Sequence, residues 1–396
     1  MLLAVAFALE IITVGSNTNA RVDLSASKSV PFAHYWKKCV GSGHMLLGTR
    51  ADWQAHLKLA HDELGFQGIR GHGLLDDDMS TAPRIKVNGT YVNSFYNTDV
   101  VFDYLVELGM KPVVELSFTP SRMIACGRPN QPECSYVFGD SGGYKGLRAP
   151  PDDFTDWYDL VHALGTHLVA RYGLDEVSSW HFEVWNELWG VPWPHPYIEL
   201  YNASARAIKA VHTSLKVGGP ATMQMLWVPD FIAACKGNAT SPPMPVDFVS
   251  SHLYPTDPEC QTDAATKDPD CFAHLILAAQ KQAEDAGLPF LVTEYNDGLG
   301  RTSRDDTTAS SFVFRNIGLL GKVDMLSWWT VRLFSSFCLV SVSSSPLHTH
   351  AHTQTQTHTH PPDSSLSPVP LFLLKSSPTF LKKIGCKANR STTGTE

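Results

Sequence analysis

Short apolar stretches that end in polar or Gly/Pro residues alternate with longer amphipathic stretches over residues 30–330. The composition and length of the apolar stretches predict eight strands: VPFAHYW, GFQGIRGHG, KPVVELSF, SWHFEVWNE, LKVGGPA, VDFVSSHLYP, LPFLVTEYN and VDMLSWWT. Helical periodicity between them predicts helices in ADWQAHLKLAHDELG, NTDVVFDYLVELGM, DFTDWYDLVHALGTHLVARYG, YIELYNASARAIKAVHTSL and AHLILAAQKQAEDAGL. Several of these stretches end at a glycine, which is typical of a helix C-terminus.

Strands that alternate with helices predict a parallel sheet with crossover helices. Eight strands in roughly 300 residues fit a closed (β/α)8 (TIM) barrel, and an open, doubly wound sheet is the alternative. A dinucleotide-binding open sheet has GxGxxG after its first strand, and this sequence has none there. The sequence therefore predicts an α/β fold, a (β/α)8 barrel over residues 30–330 that is truncated after strand eight.

Both ends of the chain lack this alternation. Residues 1–29 resemble a secretory signal, but Glu10 interrupts the apolar stretch and no basic residues precede that stretch. An incorrectly assigned start of the gene is therefore the alternative. Residues 331–396 are of low complexity, with a His/Thr alternation that a translated CA repeat encodes. The codons for Val331 and Arg332 can match a splice donor. We infer an intron read through after residue 330 and expect a disordered tail; a histidine-rich metal-binding tail is the alternative.

The net charge of the 396-residue chain is −8, which argues against nucleic acid or an anionic membrane as the main partner. No stretch approaches the roughly 20 apolar residues that span a bilayer. The sequence gives no indication of the oligomeric state.

Cysteine placement indicates an oxidising compartment. Cys126 and Cys134 are close together in one loop and Cys260 and Cys271 in another, a placement that suits disulfides better than a metal. Three Asn-x-Ser/Thr sequons agree with this: they begin at residues 88, 202 and 238. We expect a secreted protein, or one routed to a lysosome or vacuole.

Two glutamates stand at predicted strand ends, where this fold places its chemistry: Glu187 ends the fourth strand and Glu294 the seventh. Two facing carboxyl groups are what glycoside hydrolysis needs, and their separation decides between retention and inversion. Polar and aromatic residues that suit sugar stand at the other strand ends: His72, Ser117, Asn186, His252, Tyr254, Tyr295, Asn296, Trp328 and Trp329. We therefore expect an oligosaccharide or glycoside substrate, and Tyr295 is among the residues expected to bind it.

The neighbours of the two glutamates predict different roles. Glu187 has tryptophans on both sides of its segment, and an apolar setting raises a carboxyl pKa, as a general acid requires. Glu294 has Thr293, Tyr295 and Asn296 as possible hydrogen-bond donors, which favours an ionised nucleophile.

The sequence lacks HExxH and GxSxG, so zinc and serine mechanisms are disfavoured, and we expect neither metal nor cofactor. Structural roles are expected for Glu115, Glu183 and His44.

Six segments in this order resemble glycoside hydrolase family 39, which contains β-xylosidases and α-L-iduronidases: GIRGHGLLDDD, GMKPVVELSFTP, HFEVWNE, VGGPA, VDFVSSHLYP and LVTEYN. The resemblance covers residues 30–330 and favours the β-xylosidase branch. It implies a retaining mechanism with Glu187 as acid/base and Glu294 as nucleophile. It further implies that Asn186 contacts the sugar 2-hydroxyl and that four more residues line the pocket: His72, His252, Tyr254 and Trp329.

The chain departs from the family pattern in three places. Leu188 replaces a proline, the segment after Glu187 is shortened, and VRLFSSFCL replaces a loop whose glutamates bind the sugar. A sugar-binding barrel with impaired catalysis and a structural module are therefore alternatives to a β-xylosidase. An α-L-iduronidase is another, and it needs a cation for the carboxylate of its substrate, for which Arg70 and Arg122 are the candidates.

Overall fold

The computed structural model of the chain describes residues 32–125, 135–137, 144–261, 270–299, 307–321 and 323–330. The chain divides into two units, residues 1–34 and 35–396. Residues 32–34, the described part of the first unit, form neither helix nor strand. The segment 1–29, the tail 331–396 and the cysteines at 126 and 134 lie outside the described residues, so the predictions about them stay predictions.

Eight parallel strands of the second unit close into a barrel. They are β1 (Val40–His44), β2 (Gly68–His72), β3 (Lys111–Leu116), β4 (His181–Val184), β5 (Lys216–Thr222), β6 (Phe248–His252), β7 (Phe290–Tyr295) and β8 (Met325–Thr330). Each strand pairs with the next along the chain, and β8 closes the ring by pairing with β1. The predicted (β/α)8 barrel is confirmed.

Helices cover the outside of the barrel. They are α1 (Ala51–Leu64), α2 (Tyr96–Glu107), α3 (Phe154–Tyr172), α4 (Leu174–Val177), α5 (Tyr197–Val211), α6 (Val228–Lys236), α7 (Pro258–Gln261), α8 (Cys271–Asp285) and α9 (Thr307–Leu319). Short 3₁₀ turns occur at Tyr35–Lys37, Met45–Thr49, Asp77–Met79, Ser121–Met123 and Met223–Met225. A small hairpin pairs Lys86–Val87 with Thr90–Tyr91. None of the described helices is long and apolar enough to cross a membrane.

The packing of α3 explains why the amphipathic stretches become surface helices. Trp157, Leu160, Leu164 and Leu168 recur every three or four residues and are fully buried on one face of this helix. Asp153 caps the helix start by accepting a hydrogen bond from the Thr155 amide at 2.7 Å. The apolar face of α3 joins the largest buried cluster, between the helix layer and the sheet.

The first strand is not where the sequence predicted it. Residues 30–36 were expected to form it, but residues 35–37 form a 3₁₀ turn and the strand is Val40–His44. This segment, VGSGH, has weak strand propensity, but it pairs with both β2 and β8. Gly41 is required by packing, because a Cβ there would lie 2.0 Å from Cε3 of Trp329. Helices α6 and α9 were also not predicted.

Candidate active site

Glu187 and Glu294 face each other at the C-terminal mouth of the barrel. Glu294 is in β7, and Glu187 follows β4. One carboxylate oxygen of Glu187, one of Glu294 and a ring nitrogen of His252 all lie within 4.8 Å of one another. The side chain of Glu187 is 12% exposed and that of Glu294 is 5% exposed. The barrel thus brings together two carboxyl groups from distant parts of the chain, in a site that is largely closed to water.

The backbone after β4 turns sharply to direct Glu187 into the mouth. Trp185 has φ of 70° and Glu187 has φ of 52°, in the left-handed region that non-glycine residues rarely adopt. Such residues cost about 1–3 kcal/mol each and persist only where the surroundings hold them. Here the Glu187 amide donates to the Ala221 carbonyl at 2.8 Å and the Trp185 amide to the Leu116 carbonyl at 3.2 Å. The neighbouring strands β5 and β3 therefore fix the position of this carboxyl group.

Arg70, on β2, connects most polar groups of the site. Its guanidinium donates to Glu183 at 2.5 Å, to Glu294 at 2.7 Å and to the side-chain oxygen of Asn186 at 2.9 Å, and it is 2.7 Å from Glu115. Arg70 is fully buried, and its hydrogen bonds fix the orientation of the nearby acids. Burial would raise the pKa of Glu183, but Arg70, His252 and hydrogen bonds from hydroxyl groups together outweigh burial and lower that pKa.

Both oxygens of Glu294 accept a hydrogen bond. Arg70 donates to Oε1, and the Tyr254 hydroxyl donates to Oε2 at 2.6 Å. Nε2 of His72 lies 3.4 Å from Oε1. Burial lowers the pKa of His72 to about 3, so this imidazole is neutral. Glu294 therefore has the hydrogen-bond partners of a carboxylate that is ready to attack an electrophile.

Glu187 has a different environment, and burial raises its pKa to about 7. Its Oε1 lies 2.9 Å from Nδ1 of His252, whose other nitrogen, Nε2, lies 3.1 Å from the Thr293 hydroxyl. That hydroxyl donates to Glu183 at 2.7 Å, so its oxygen is left to accept a hydrogen bond from Nε2 of His252. Burial lowers the pKa of His252, and a neutral ring with its hydrogen on Nε2 has a bare Nδ1. We therefore assign the proton of the short contact to Glu187.

Glu187 and Glu294 thus belong to two different hydrogen-bond environments. Arg70 and Tyr254 surround Glu294 with donors, whereas Glu187 meets the bare nitrogen of His252. Glu115, deeper in the barrel, has a pKa that burial raises to about 8, although Arg70 opposes the shift. The acids around Arg70 share one guanidinium, so not all of them can be ionised together.

The remaining wall of the site suits a sugar. Asn186 is fully buried, and its side-chain nitrogen has no hydrogen-bond partner among the described residues. Both hydrogens of that nitrogen are therefore available to a ligand. The ring of Trp329 lies 4.3 Å from that of His72 and 5.4 Å from the guanidinium of Arg70, and it offers a flat apolar face. The ring centre of Trp189 lies 6.2 Å from that of His72.

Most sequence-predicted site residues come together here, but Tyr295 and Trp328 lie in the outer core instead. The structure brings to the mouth Glu187, Glu294, His72, Asn186, His252, Tyr254 and Trp329. The prediction that Tyr295 contacts substrate is wrong: its ring packs on Phe272 of α8 and on Trp328, in the outer core. Successive side chains of a strand point to opposite faces, so Glu294 and Tyr295 cannot both face the interior.

The expected donors to Glu294 were also wrong in identity. The Thr293 hydroxyl donates to Glu183, and the Asn296 side chain contacts the Gly298 amide and the Trp329 carbonyl. The donors are instead Arg70 and Tyr254. The parity of β2 contained a signal for Arg70, because Arg70 precedes His72 by two residues and therefore shares its face.

Glu187, His252 and Glu294 have the composition of a metal site, but their partners do not fit one. Nδ1 of His252 is hydrogen bonded to Glu187, and both oxygens of Glu294 already accept hydrogen bonds. The nearby Arg70 guanidinium also repels a cation. Away from this site, Cys260 of α7 and Cys271, the first residue of α8, form a disulfide.

The sequence model of "Glycosyl hydrolases family 39" matches residues 20–372. The chain belongs to this family. The chain is 37% identical over 329 residues to a β-xylosidase of Caldicellulosiruptor saccharolyticus, covering 79% of this chain and 63% of that protein. It is 32% identical over 332 residues to a β-xylosidase of Geobacillus stearothermophilus, covering 78% of this chain and 63% of that one.

Family 39 membership also agrees with a solved structure. A family 39 β-xylosidase from Caulobacter crescentus matches with a TM-score of 0.63 and 32% identity, over 76% of this chain and 63% of that chain. The present chain thus spans less than two thirds of the length of each of these relatives.

Proposed function

We propose that this chain is a retaining glycosidase that releases terminal β-D-xylose from oligosaccharides or glycosides. The observation that carries the proposal is the short distance between oxygens of Glu187 and Glu294, which lie within 4.8 Å of each other. Retaining glycosidases hold their carboxyl groups about 5–5.5 Å apart, whereas inverting enzymes need about 6.5–9.5 Å to admit a water between acid and base. The similarity to proteins named β-xylosidase supports xylose as the sugar.

In the first step, Glu294 attacks the anomeric carbon and Glu187 gives its proton to the departing glycosidic oxygen. The bond from the anomeric carbon to that oxygen breaks as the bond to Glu294 forms. Arg70 and Tyr254 orient the attacking carboxylate. Asn186 donates from its unpartnered nitrogen to a sugar hydroxyl, which fixes the ring beside both acids.

In the second step, water attacks the anomeric carbon of the glycosyl-enzyme and Glu187, now ionised, removes a proton from that water. The sugar leaves with its original configuration. Glu187 thereby regains the proton that it directs at Nδ1 of His252 in the resting chain. The two steps together return both carboxyl groups to their starting states and consume one molecule of water.

The hypothesis of an α-L-iduronidase needs a cation that can reach a sugar carboxylate, and neither candidate suits this. Arg70 is fully buried and contacts three glutamates. Arg122 donates to the Val92 carbonyl and to the side chain of Asn93. We therefore favour a neutral glycone.

Turnover of a nitrophenyl β-D-xyloside tests the proposal, with proton NMR following the configuration of the first sugar product. We expect β-xylose first, and no product from Glu294→Ala. A 2-fluoro xyloside with a good leaving group should add one fluoroxylosyl group to the intact chain, on the peptide that contains Glu294. Initial release of α-xylose would contradict the retaining mechanism.

Two controls distinguish the glycosidase from a sugar-binding barrel and from a structural module. The Glu187→Ala variant should still cleave an activated aryl xyloside partly, with rescue by azide, because the leaving group then needs no acid. A chain that binds xylose by calorimetry but releases no nitrophenol is a sugar-binding barrel with impaired catalysis. A chain that does neither is a structural module.

We also propose that the chain enters a secretory route, to the outside or to a lysosome or vacuole, and carries N-linked sugar. The disulfide between Cys260 and Cys271 supports an oxidising compartment. Asn88 and Asn238, two of the sequon residues, lie at the surface. A mass loss after treatment with an amidase that removes N-glycans tests this, and a cytosolic protein of unmodified mass would contradict it.

A further inference from the structure

A second polar cluster lies beside the mouth of the barrel and takes no part in the proposed reaction. It consists of His44, at the end of β1, and of Asp76 and Asp78, in the segment after β2. Nε2 of His44 lies 3.4 Å from Oδ2 of Asp76 and 3.4 Å from Oδ1 of Asp78. These three atoms lie within 4.8 Å of one another.

All three atoms are buried and have no hydrogen-bond partner among the described residues. The side chain of Asp76 is 0% exposed and that of His44 is 9% exposed, whereas that of Asp78 is 21% exposed. Buried polar atoms without partners are costly, and three that point at one place call for a common ligand.

The surroundings hold this arrangement in place. The other oxygen of Asp76 accepts a hydrogen bond from the Phe118 amide at 3.0 Å, so its Oδ2 remains directed at His44. The ring of Tyr144 stacks on that of His44 at 4.5 Å, with 29° between their planes. Two of the three donor groups are therefore oriented before any ligand binds.

A proton on His44 accounts for only part of this geometry. Burial would lower the pKa of His44, but Asp76 and Asp78 outweigh it and raise that pKa to about 9. The Nε2 atom carries a single hydrogen, however, and it can point at only one of the two carboxylates. Both separations of 3.4 Å also exceed the roughly 2.7–2.9 Å of a charge-assisted hydrogen bond.

A tetrahedral metal ion accounts for both separations. Zinc binds imidazole nitrogen and carboxylate oxygen at about 2.0–2.2 Å, and two ligands of a tetrahedron with such bonds lie about 3.4 Å apart. We propose that His44, Asp76 and Asp78 bind one Zn²⁺ ion, with water in the fourth position on the exposed side of Asp78. One imidazole and two carboxylates favour zinc over Mg²⁺ or Ca²⁺, which prefer oxygen ligands alone.

The ion ties the end of β1 to the segment after β2. The ring of Tyr144 lies between the proposed zinc site and the candidate active site: its centre is 4.5 Å from the ring centre of His44 and 5.9 Å from that of His72. We assign the ion a structural role at the rim and no chemical step. The proposal is therefore independent of the proposed glycosidase activity.

Metal binding to the full chain tests the proposal. After removal of metal with a chelator, ZnCl₂ is titrated by calorimetry, and Co²⁺ is titrated with its visible absorption as the readout. We expect Zn²⁺ to raise the Tm of the chain, and Co²⁺ to give the intense bands of a four-coordinate ion. Excess Mg²⁺ or Ca²⁺ should displace neither.

Matched variants separate this site from other zinc-binding groups, including the His/Thr-rich stretch 348–360. Asp78→Asn should lose one equivalent of bound Zn²⁺ and the Co²⁺ bands, while any equivalents held by that stretch remain. Asp77→Asn is the control: it has the same charge change, but Oδ1 of Asp77 accepts from the Ser121 amide. Equal zinc stoichiometry and equal Co²⁺ spectra in Asp78→Asn and the parent chain would overturn the proposal, as would absence of binding to the parent.

Discussion

Thr293 offers a direct test of how the proton of Glu187 is held. Its hydroxyl donates to Glu183 at 2.7 Å and accepts from Nε2 of His252 at 3.1 Å, which leaves Nδ1 of His252 to accept from Glu187 at 2.9 Å. Replacement of Thr293 by valine keeps the branched shape and removes the hydroxyl. His252 then has no acceptor on its Nε2 side, and the tautomer with hydrogen on Nδ1 becomes the better one.

That change of tautomer reverses the contact with Glu187. An Nδ1 hydrogen donates to the ionised carboxylate, and hydrogen bonds to charged groups contribute about 1.5–3 kcal/mol. Because one pKa unit corresponds to about 1.4 kcal/mol, the pKa of Glu187 should fall from about 7 by at least about one unit. Less of the acid form is then present at neutral pH, and kcat/KM at pH 7 should fall at least about fivefold.

The assay is kcat/KM against pH with xylobiose, whose leaving group needs protonation. We expect the basic limb of the Thr293→Val profile to move to lower pH, with little change below about pH 5. Thr222→Val is the control, because it loses a partly buried hydrogen bond to the Leu226 carbonyl and a contact with the Ser251 hydroxyl, but no hydrogen bond to His252. If the two variants lose stability alike and neither moves the basic limb, Thr293 has only a structural role and the proton assignment is wrong.

Three further predictions concern stability and the pocket. The pKa of Glu187 is raised to about 7 in the folded chain, so its protonated form contributes stability that is complete below the ordinary carboxyl pKa and lost as the pH rises through about 7. The free energy of unfolding in urea of Glu187→Gln, relative to that of the parent, should therefore rise by up to about 3 kcal/mol between about pH 4 and about pH 8. A difference that stays constant with pH would contradict this. Gly41→Ala should displace the ring of Trp329, 2.0 Å from the new methyl, and raise KM for a xyloside about three- to tenfold, whereas an unchanged KM would exclude stacking there. Replacement of both Cys260 and Cys271, 11 residues apart, by serine should lower the free energy of unfolding in urea by about 2–3 kcal/mol, because the disulfide is lost. If a reductant destabilises the parent and the variant equally, the disulfide is not the cause of the difference.

Local pattern predicted much of the fold because strands and helices of a barrel repeat with different hydrophobic periods. The stretches around Phe102, Trp157 and Ile276 have the helical period, and they form α2, α3 and α8. The strand Val40–His44 has no such pattern, because its two glycines give it little propensity and its place depends on pairing with β2 and β8. In this strand, pairing with neighbouring strands outweighed the low intrinsic strand propensity of the sequence.

The same distinction applies to the candidate site. Position at the ends of two strands was enough to single out Glu187 and Glu294, since all strand ends of a parallel barrel meet at one mouth. The sequence did not predict the distance between the two carboxyl groups. It also did not predict the hydrogen-bond donors to Glu294, because Arg70 and Tyr254 are 224 and 40 residues away from Glu294 in the chain. Strand parity, applied to β7, excludes Tyr295 from the pocket.

By itself the sequence determined the barrel, the family and the two catalytic candidates, because hydrophobic period and strand-end chemistry are local properties of the chain. Only the tertiary structure decided where protons and cations can be held. The bare nitrogen that faces Glu187 depends on a hydroxyl of a different strand, and His44 meets Asp76 only because β1 and β2 are neighbours. Hydrogen bonds and ligand geometry depend on distances in space, and closure of the barrel fixes those distances.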